Sequence, residues 1–350
     1  MNRSAAIDER CGSAEGKLIT NSLRALHYLG SLKLTLALLL LFTFCIATYY
    51  FLEQSYNSLI ATPLFLLSLN LLSAIIIKPI FRSQISLLLF HLALLGLLIL
   101  IAASRLSYFK GSAEITNGEA FSGAISSTQG PWHQSRIDKI HFILDDFVIN
   151  YTSYNKTPQR DDTKAYLRWT DSAGNTNQGV VGDHRPLIME GYRFYTTHNK
   201  GFAPLFVWQP KGGRPQQGSI HLPAYPANEY NQAIDWNIPG TSHHLWTQLQ
   251  FDETILNPNS ASQFHAPGEH LLIVRDGEQR HEIRPGQTLT FNDGLLTYKE
   301  LRTWMGFLVL SDWTLPWLFA AGFLAALSLG WHYWRKVSDR PWLQEQVITR

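Results

Sequence analysis

The chain has 350 residues, 45% hydrophobic and 16% charged, with a formal net charge of +2 and two cysteines. Charge this far below the usual quarter means that apolar sequence is concentrated somewhere. Residues 34–104 and 313–334 are nearly free of charge while 105–312 reads as ordinary polar protein, so a single soluble globule is excluded. So is a nucleic-acid partner, because no basic patch is interleaved with aromatics.

Four apolar stretches are bracketed by charges: Leu34–Leu52, Gln54–Ile77, Ser83–Ser104 and Trp313–Trp334. At about 1.5 Å per residue each is long enough to cross roughly 30 Å of hydrocarbon as a helix. Pro63, in the first half of the second stretch, is a candidate kink that does not overturn the helix. Lys and Arg cluster ahead of the first span, in the turn after the second (Lys78, Arg82) and beyond the fourth (Arg335, Lys336, Arg340, Arg350). The positive-inside rule then predicts cytoplasmic termini and export of 105–312. The predicted exported region has 18 Lys/Arg against 21 Asp/Glu, whereas the predicted cytoplasmic parts have 11 against 5. A 33-residue polar leader and the absence of a small-x-small site after the first span argue against a cleaved signal peptide. The predicted organisation is a cytoplasmic leader 1–33, three transmembrane helices in 34–104, an exported domain 105–312, a fourth helix 313–334 and a cytoplasmic tail 335–350.

Within 105–312 the sequence alternates in short runs separated by turn residues. His141–Tyr151, Lys164–Thr170, Tyr192–Thr197, Leu205–Trp208 and His244–Phe251 read as strands. A meander follows, with Leu271–Arg275, Arg280–Arg284, Gln287–Phe291 and Leu295–Leu301 joined at Asp276-Gly277, Pro285-Gly286 and Asn292-Asp293-Gly294. Residues 209–243, rich in Pro, Gly, Asn and Gln, read as a long loop. The expected fold class is therefore an integral membrane protein with four transmembrane α-helices and one large, mostly β, antiparallel and sandwich-like domain.

The cysteines are Cys11, in the leader, and Cys45, in the first span. The region 105–312 thus holds no disulfide and no thiol-exchange centre, and the chain has no CxxCH. Walker, GxSxG and HExxH patterns are absent too, which leaves a hydrolase on a membrane anchor without a nucleophile or metal cluster.

One ionisable residue stands apart. His91 lies in the third span, nine residues past Arg82, with no other charged or imidazole group at comparable depth. Such a residue is costly in a membrane and points to function. Two readings fit it equally: a neutral imidazole as an axial ligand for haem iron, or a neutral His hydrogen-bonded between helices. If it binds haem, the second axial ligand must come from another protein. His332, among Trp331, Tyr333 and Trp334, reads as part of an interfacial aromatic belt, and Trp132 as a surface aromatic. Arg302 and Asp312 read as depth markers at the entry to the last span. The remaining histidines of 105–312 are scattered, and the His243-His244 pair has no third ligand beside it in sequence.

Three spans, a large polar domain and a fourth span, together with LGSLKLTLALLLL at 29–41, FHLALLGLLILIAASRLSYFKGSAEITNGE at 90–119, GYRFYTT at 191–197 and LRTWMGFLVLSDWTLPWLFAAGFLAALSLG at 301–330, resemble the ResB family, also called CcsB. These are membrane components of System II cytochrome c assembly. The resemblance implies a factor in the bacterial inner membrane, with its large domain on the periplasmic side. Acting with a CcsA/ResC-type partner, it would carry haem b across the membrane and present it to exported apocytochrome c for attachment at CxxCH. It also implies that His91 is a haem axial ligand, that the partner supplies the companion ligand, and that a separate protein reduces the client thiols. Whether this chain is an enzyme stays open: the resemblance makes it a subunit of a haem lyase complex whose chemistry lies mainly in the partner. The competing reading is a non-catalytic scaffold or sensor whose exported β domain binds a ligand. It lacks an obvious output, since the predicted cytoplasmic parts are only the 33-residue leader and the 16-residue tail.

Overall fold

The computed structural model describes residues 24–51, 57–171, 173–223 and 232–338. The chain divides into two compact units, and Cys11 lies outside the described residues.

The first unit comprises Met1–Tyr108, Gln129–Gln134 and Asp312–Arg350. Its helices are α1 (Leu32–Phe51), α2 (Asn57–Ile77), the single turn α3 (Ile80–Ser83), α4 (Ile85–Ser107) and α5 (Leu315–Ser338). Among the described residues α1, α2, α4 and α5 are long and apolar enough to cross a membrane, so the chain is a membrane protein. Ile60, Ala61, Leu64 and Ala102 are buried together, with Phe42, Tyr49, Leu98 and Leu106 packed on them, which joins α1, α2 and α4. Gly96 of α4 faces Ala321 of α5, where a Cβ on the glycine would make an ordinary 4.0 Å contact, so two small residues meet between these helices.

The LGS run before α1 has a specific use. A Cβ at Gly30 would fall 3.0 Å from the backbone nitrogen of Ala74 on α2, so this approach favours glycine. Asn70 of α2 donates through Nδ2 to Leu29 O at 2.5 Å and Ser31 O at 3.3 Å, and accepts from Thr35 Oγ1 at 2.8 Å. Ser31 Oγ accepts the Leu34 N–H at 3.3 Å, satisfying one of the free donors at the start of α1.

The helix limits differ from the charge brackets in the sequence. α4 begins at Ile85 because Pro79 starts the isolated turn α3 and Gln84 is extended (φ −123°, ψ 90°). At their far ends α4 runs through Arg105 to Ser107, and α5 through Arg335 and Lys336 to Ser338. Charge marks where lipid ends, and backbone hydrogen bonding does not stop there. α2 continues unbroken through Pro63. Asp312 is close to the start of α5, as expected: it accepts Thr314 N–H at 2.9 Å and Ser104 Oγ–H at 2.7 Å. Arg302 is a correction. It lies in a β-strand of the second unit, where it pairs with Glu300 at 2.6 Å.

The second unit comprises Phe109–Thr128 and Ser135–Ser311. Its strands in chain order are β1 (Phe109–Thr116), β2 (Ser126–Gln129), β3 (Ile143–Tyr154), β4 (Thr157–Thr170), β5 (Thr176–Val181), β6 (Leu187–Met189), β7 (Tyr192–Pro210) and β8 (Gln216–Ser219). They continue with β9 (Ala233–Asn237), β10 (His244–Gln250), β11 (Ser262–Gln263), β12 (Leu271–Asp276), β13 (Gln279–Ile283), β14 (Thr288–Thr290) and β15 (Gly294–Ser311). The expected antiparallel β domain is built as three sheets. The largest has the order β2-β1-β15-β7-β6, with β14 beside β15 and β8 beside β7; the others run β13-β12-β10-β9 and β11-β3-β4-β5. The expected long loop at 209–243 is corrected in part by β8 and β9, while residues 224–231 lie outside the described part.

The central pair is β7 with β15, of 19 and 18 residues, each about 60 Å long at the usual strand rise. Register shifts at Tyr298/Glu300 and Met305/Phe307 let so long a ribbon bend. Gly306 stands at the second shift, where a Cβ would come within 2.7 Å of Thr197 Oγ1. Phe121, Phe142, Phe194, Phe202, Phe307 and Tyr298 are buried in the core shared by the sheets, with edge-to-face contacts such as Phe121–Phe194 at 5.5 Å.

Candidate functional site

His91 is the seventh residue of α4. The break at Gln84 changes the depth read from sequence: counted from Ile85, His91 is six residues or about 9 Å into the helix, in its first half and about midway between its start and its middle. The side chain is half-buried. Its ring centroid lies 4.6 Å from that of Phe81 and 5.2 Å from that of Phe90. Nδ1 is 2.8 Å from the carbonyl oxygen of Leu87, one turn earlier. A carbonyl can only accept, so Nδ1 carries a proton, and in a neutral imidazole this makes Nε2 the nitrogen with the lone pair. No hydrogen-bond partner for Nε2 occurs among the described residues.

Within the same unit a cleft of about 500 Å³ is lined by Ser83, Gln84, Ser86, Leu87, His332 and Arg335, with Ile80 and Lys336 completing the wall. Leu87, whose carbonyl holds His91, is part of that wall. His332 does more than stand in an aromatic belt: its Nδ1 is 3.3 Å from Ser86 Oγ, across the α4–α5 contact. The sequence reading missed the cleft because it ended the fourth span at Trp334. The signal available was the uninterrupted helical run 331–338, which places Arg335 and Lys336 in the last turn of α5 and His332 in the turn before it.

The scattered histidines do not assemble a metal site. Among the described residues no three His, Cys, Asp or Glu side chains are grouped as metal ligands. Most of these imidazoles have polar partners. His221 contacts Glu114 at 2.9 Å and Thr116 Oγ1 at 2.9 Å. His265 faces Glu253 at 2.8 Å, and His270 faces Tyr298 Oη at 2.8 Å. His243 is held between Asp276 (3.1 Å) and Asp293 (2.9 Å), and His244 meets Asn237 at 2.7 Å, so the two neighbours point to different partners. Trp132 is exposed, as expected.

The model of the ResB-like family matches residues 82–266, from the turn before α4 through His91 and past β11. That is more than half of the chain. The chain belongs to the ResB-like family. No curated protein matches it. The ResB-like family is associated with cytochrome c biogenesis, and in this ResB-like protein the matched region takes in both α4 and most of the β-rich unit.

Proposed function

We propose that this ResB-like protein, together with a CcsA/ResC-type membrane partner, carries haem b across the bacterial inner membrane and presents it to exported apocytochrome c for attachment at CxxCH. In this reading the termini are cytoplasmic and the β-rich unit is periplasmic, as the Lys/Arg distribution predicts. His91 supplies one axial ligand and the partner the other. Thiol reduction falls to a separate protein, in keeping with a cysteine-free 105–312.

The observation that carries the reading is the hydrogen bond of His91 to its own helix. A histidine retained as a strut between helices would spend its polar atoms on a neighbour. His91 spends Nδ1–H on Leu87 O, which fixes the tautomer and leaves Nε2, the usual iron-binding nitrogen, free of protein partners among the described residues. Phe81 and Phe90 provide flat apolar faces beside it. The cleft one turn away has Arg335 and Lys336 in its wall, and a porphyrin carrying two carboxylates along one edge suits an apolar region that ends in cations.

The test is the visible spectrum of the protein co-purified with its partner, comparing wild type with His91→Gly, with and without imidazole. The expected result is a Soret band that is lost or weakened in the variant and restored by imidazole. Equal haem content and identical spectra in both would refute the ligand assignment and favour a scaffold.

A further inference from the structure

The β-rich unit buries a lysine that has no bonded counter-ion among the described residues. Lys200 lies on β7 opposite Met305, at the edge of the second register shift, and is only 7% exposed. Its ammonium is 5.4 Å from the ring centroid of Tyr151 and 5.7 Å from that of Phe264. No carboxylate bonds to it among the described residues. Tyr151 cannot serve as a negative partner at ordinary pH, because burial pushes its hydroxyl up to about 12.

The charge that acts on Lys200 through space has its own sign. Arg160, whose side chain is 9% exposed, stands opposite Tyr151 in the β3–β4 register, beside the ring over which Lys200 lies, and its charge lowers the lysine's proton affinity. Arg160 gives Nε to Thr163 Oγ1 and Nη2 to Asp183 Oδ1, both at 2.5 Å. Asp183 Oδ1 also accepts from Thr196 Oγ1 at 2.6 Å. The third guanidinium nitrogen, Nη1, is buried and has no hydrogen-bond partner among the described residues. Among the described residues Asp183 is the one carboxylate bonded to Arg160, Asp162 acts on it only through space, and no acid is bonded to Lys200, which leaves an unpaired ammonium and an unpaired guanidinium N–H. A buried unpaired charge costs several kcal/mol, and a cluster that keeps one is short of an anion.

We propose that Lys200 and Arg160 form a binding site for a small oxyanion group, a carboxylate or a phosphate, taken between the lysine ammonium and the free face of the guanidinium. The guanidinium suits either oxyanion, because its planar N–H groups match their oxygens. Tyr151 and Phe264 supply apolar walls, and Asp183 fixes the guanidinium through its opposite edge. This site is independent of the His91 reading, since all its residues belong to the second unit.

The experiment uses the full chain in detergent. Acylation of Lys200 by a small amine-directed reagent is followed by peptide mass spectrometry in sodium phosphate, sodium acetate and sodium chloride at equal ionic strength. Exposed Lys156 serves as the internal control. Binding protects by one plus the ratio of free anion to Kd, so the rate at Lys200 should fall about elevenfold at ten times Kd while Lys156 does not change. Phosphate and acetate arms separate the two anion classes, and protection by either supports the site. A second readout is thermal unfolding of wild type and Lys200→Gln. A saturable rise in Tm with the oxyanion in wild type alone is expected. Equal rates at Lys200 in all three salts, or the same Tm rise in both proteins, would overturn the proposal.

Discussion

Replacing Lys200 by Met should make the β-rich unit more stable, an unusual outcome for a change at a buried position. Burial lowers the amine of Lys200 from 10.5 to about 8, and the nearby Arg160 charge adds to the effect. At 1.36 kcal/mol per unit this corresponds to about 3 kcal/mol by which the folded state disfavours the protonated lysine. The sign follows from proton counts. Between pH 8 and 10.5 the unfolded chain binds more protons than the folded one, so stability rises with pH through that window. Below pH 8 the full penalty is present. The expected gain for wild type from pH 7 to 9.5 is about 2 kcal/mol. Lys200→Met removes the penalty and also the cation–π contacts, worth about 1 kcal/mol, for a net stabilisation of about 2 kcal/mol at pH 7. The assay is denaturant unfolding of the full chain in detergent, read by tryptophan emission, at several pH values and without phosphate or carboxylate buffers. Stopping at pH 9.5 avoids Tyr151 and Tyr298, whose raised hydroxyls lower stability from about pH 10 upward. His265, raised by its hydrogen bond to Glu253, contributes stability that is lost as pH rises through its folded value. It is half-exposed and present in both proteins, so it cancels in the difference. A wild type whose stability is flat or falling from pH 7 to 9.5, or a variant with the same slope, would refute the reasoning.

In the helical unit, Asn70→Leu should lower stability by about 2 kcal/mol, from three hydrogen bonds at about 0.6 kcal/mol each, one to Thr35 of α1 and two to carbonyls of the run before it. Unfolding of the bundle in a titration with a denaturing detergent checks it, and an unchanged midpoint would contradict the clasp. Asp312→Ala removes the acceptor for Thr314 N–H and Ser104 Oγ–H at the start of α5, and should cost about 1–2 kcal/mol in the same titration. Asp312→Asn, which keeps the oxygen facing Thr314, should lose less.

The spans were legible because a run of about 20 apolar residues has few alternatives in water or lipid. Their ends were less so, since the sequence marks the limit of the apolar surface while the helix persists until its hydrogen bonds fail. Gln84 is the instructive case: one extended residue separates α3 from α4 and moves His91 toward the start of its span. In the β-rich unit the hairpin at Gly277 was readable from turn chemistry, and Asp276 does pair with Gln279 across it. The two longest strands were cut short. Residues 304–307 are buried one after another and show no alternation, and residues 200–204, buried in the same way within HNKGFAP, read as a break although β7 passes through them. Alternation identifies a strand with one wet face, and these strands have none there.

That difference separates the two candidate sites. His91 was visible in sequence because the expense of an imidazole in lipid depends on local composition alone. Its tautomer also follows from its own helix, through the carbonyl one turn earlier, so the chain prepares Nε2 without help from a distant residue. Lys200 and Arg160 carry no comparable signal. Each looks like an ordinary strand-surface cation until β3 and β4 place Tyr151 opposite Arg160 and the bend in β7 brings Lys200 over the same ring. The charge imbalance there belongs to the fold. Strands of two sheets, β7 and the β3–β4 pair, enclose a lysine with no bonded acid beside an arginine with an unpaired N–H, and the stability lost by doing so is a reason to expect an anion in the working protein.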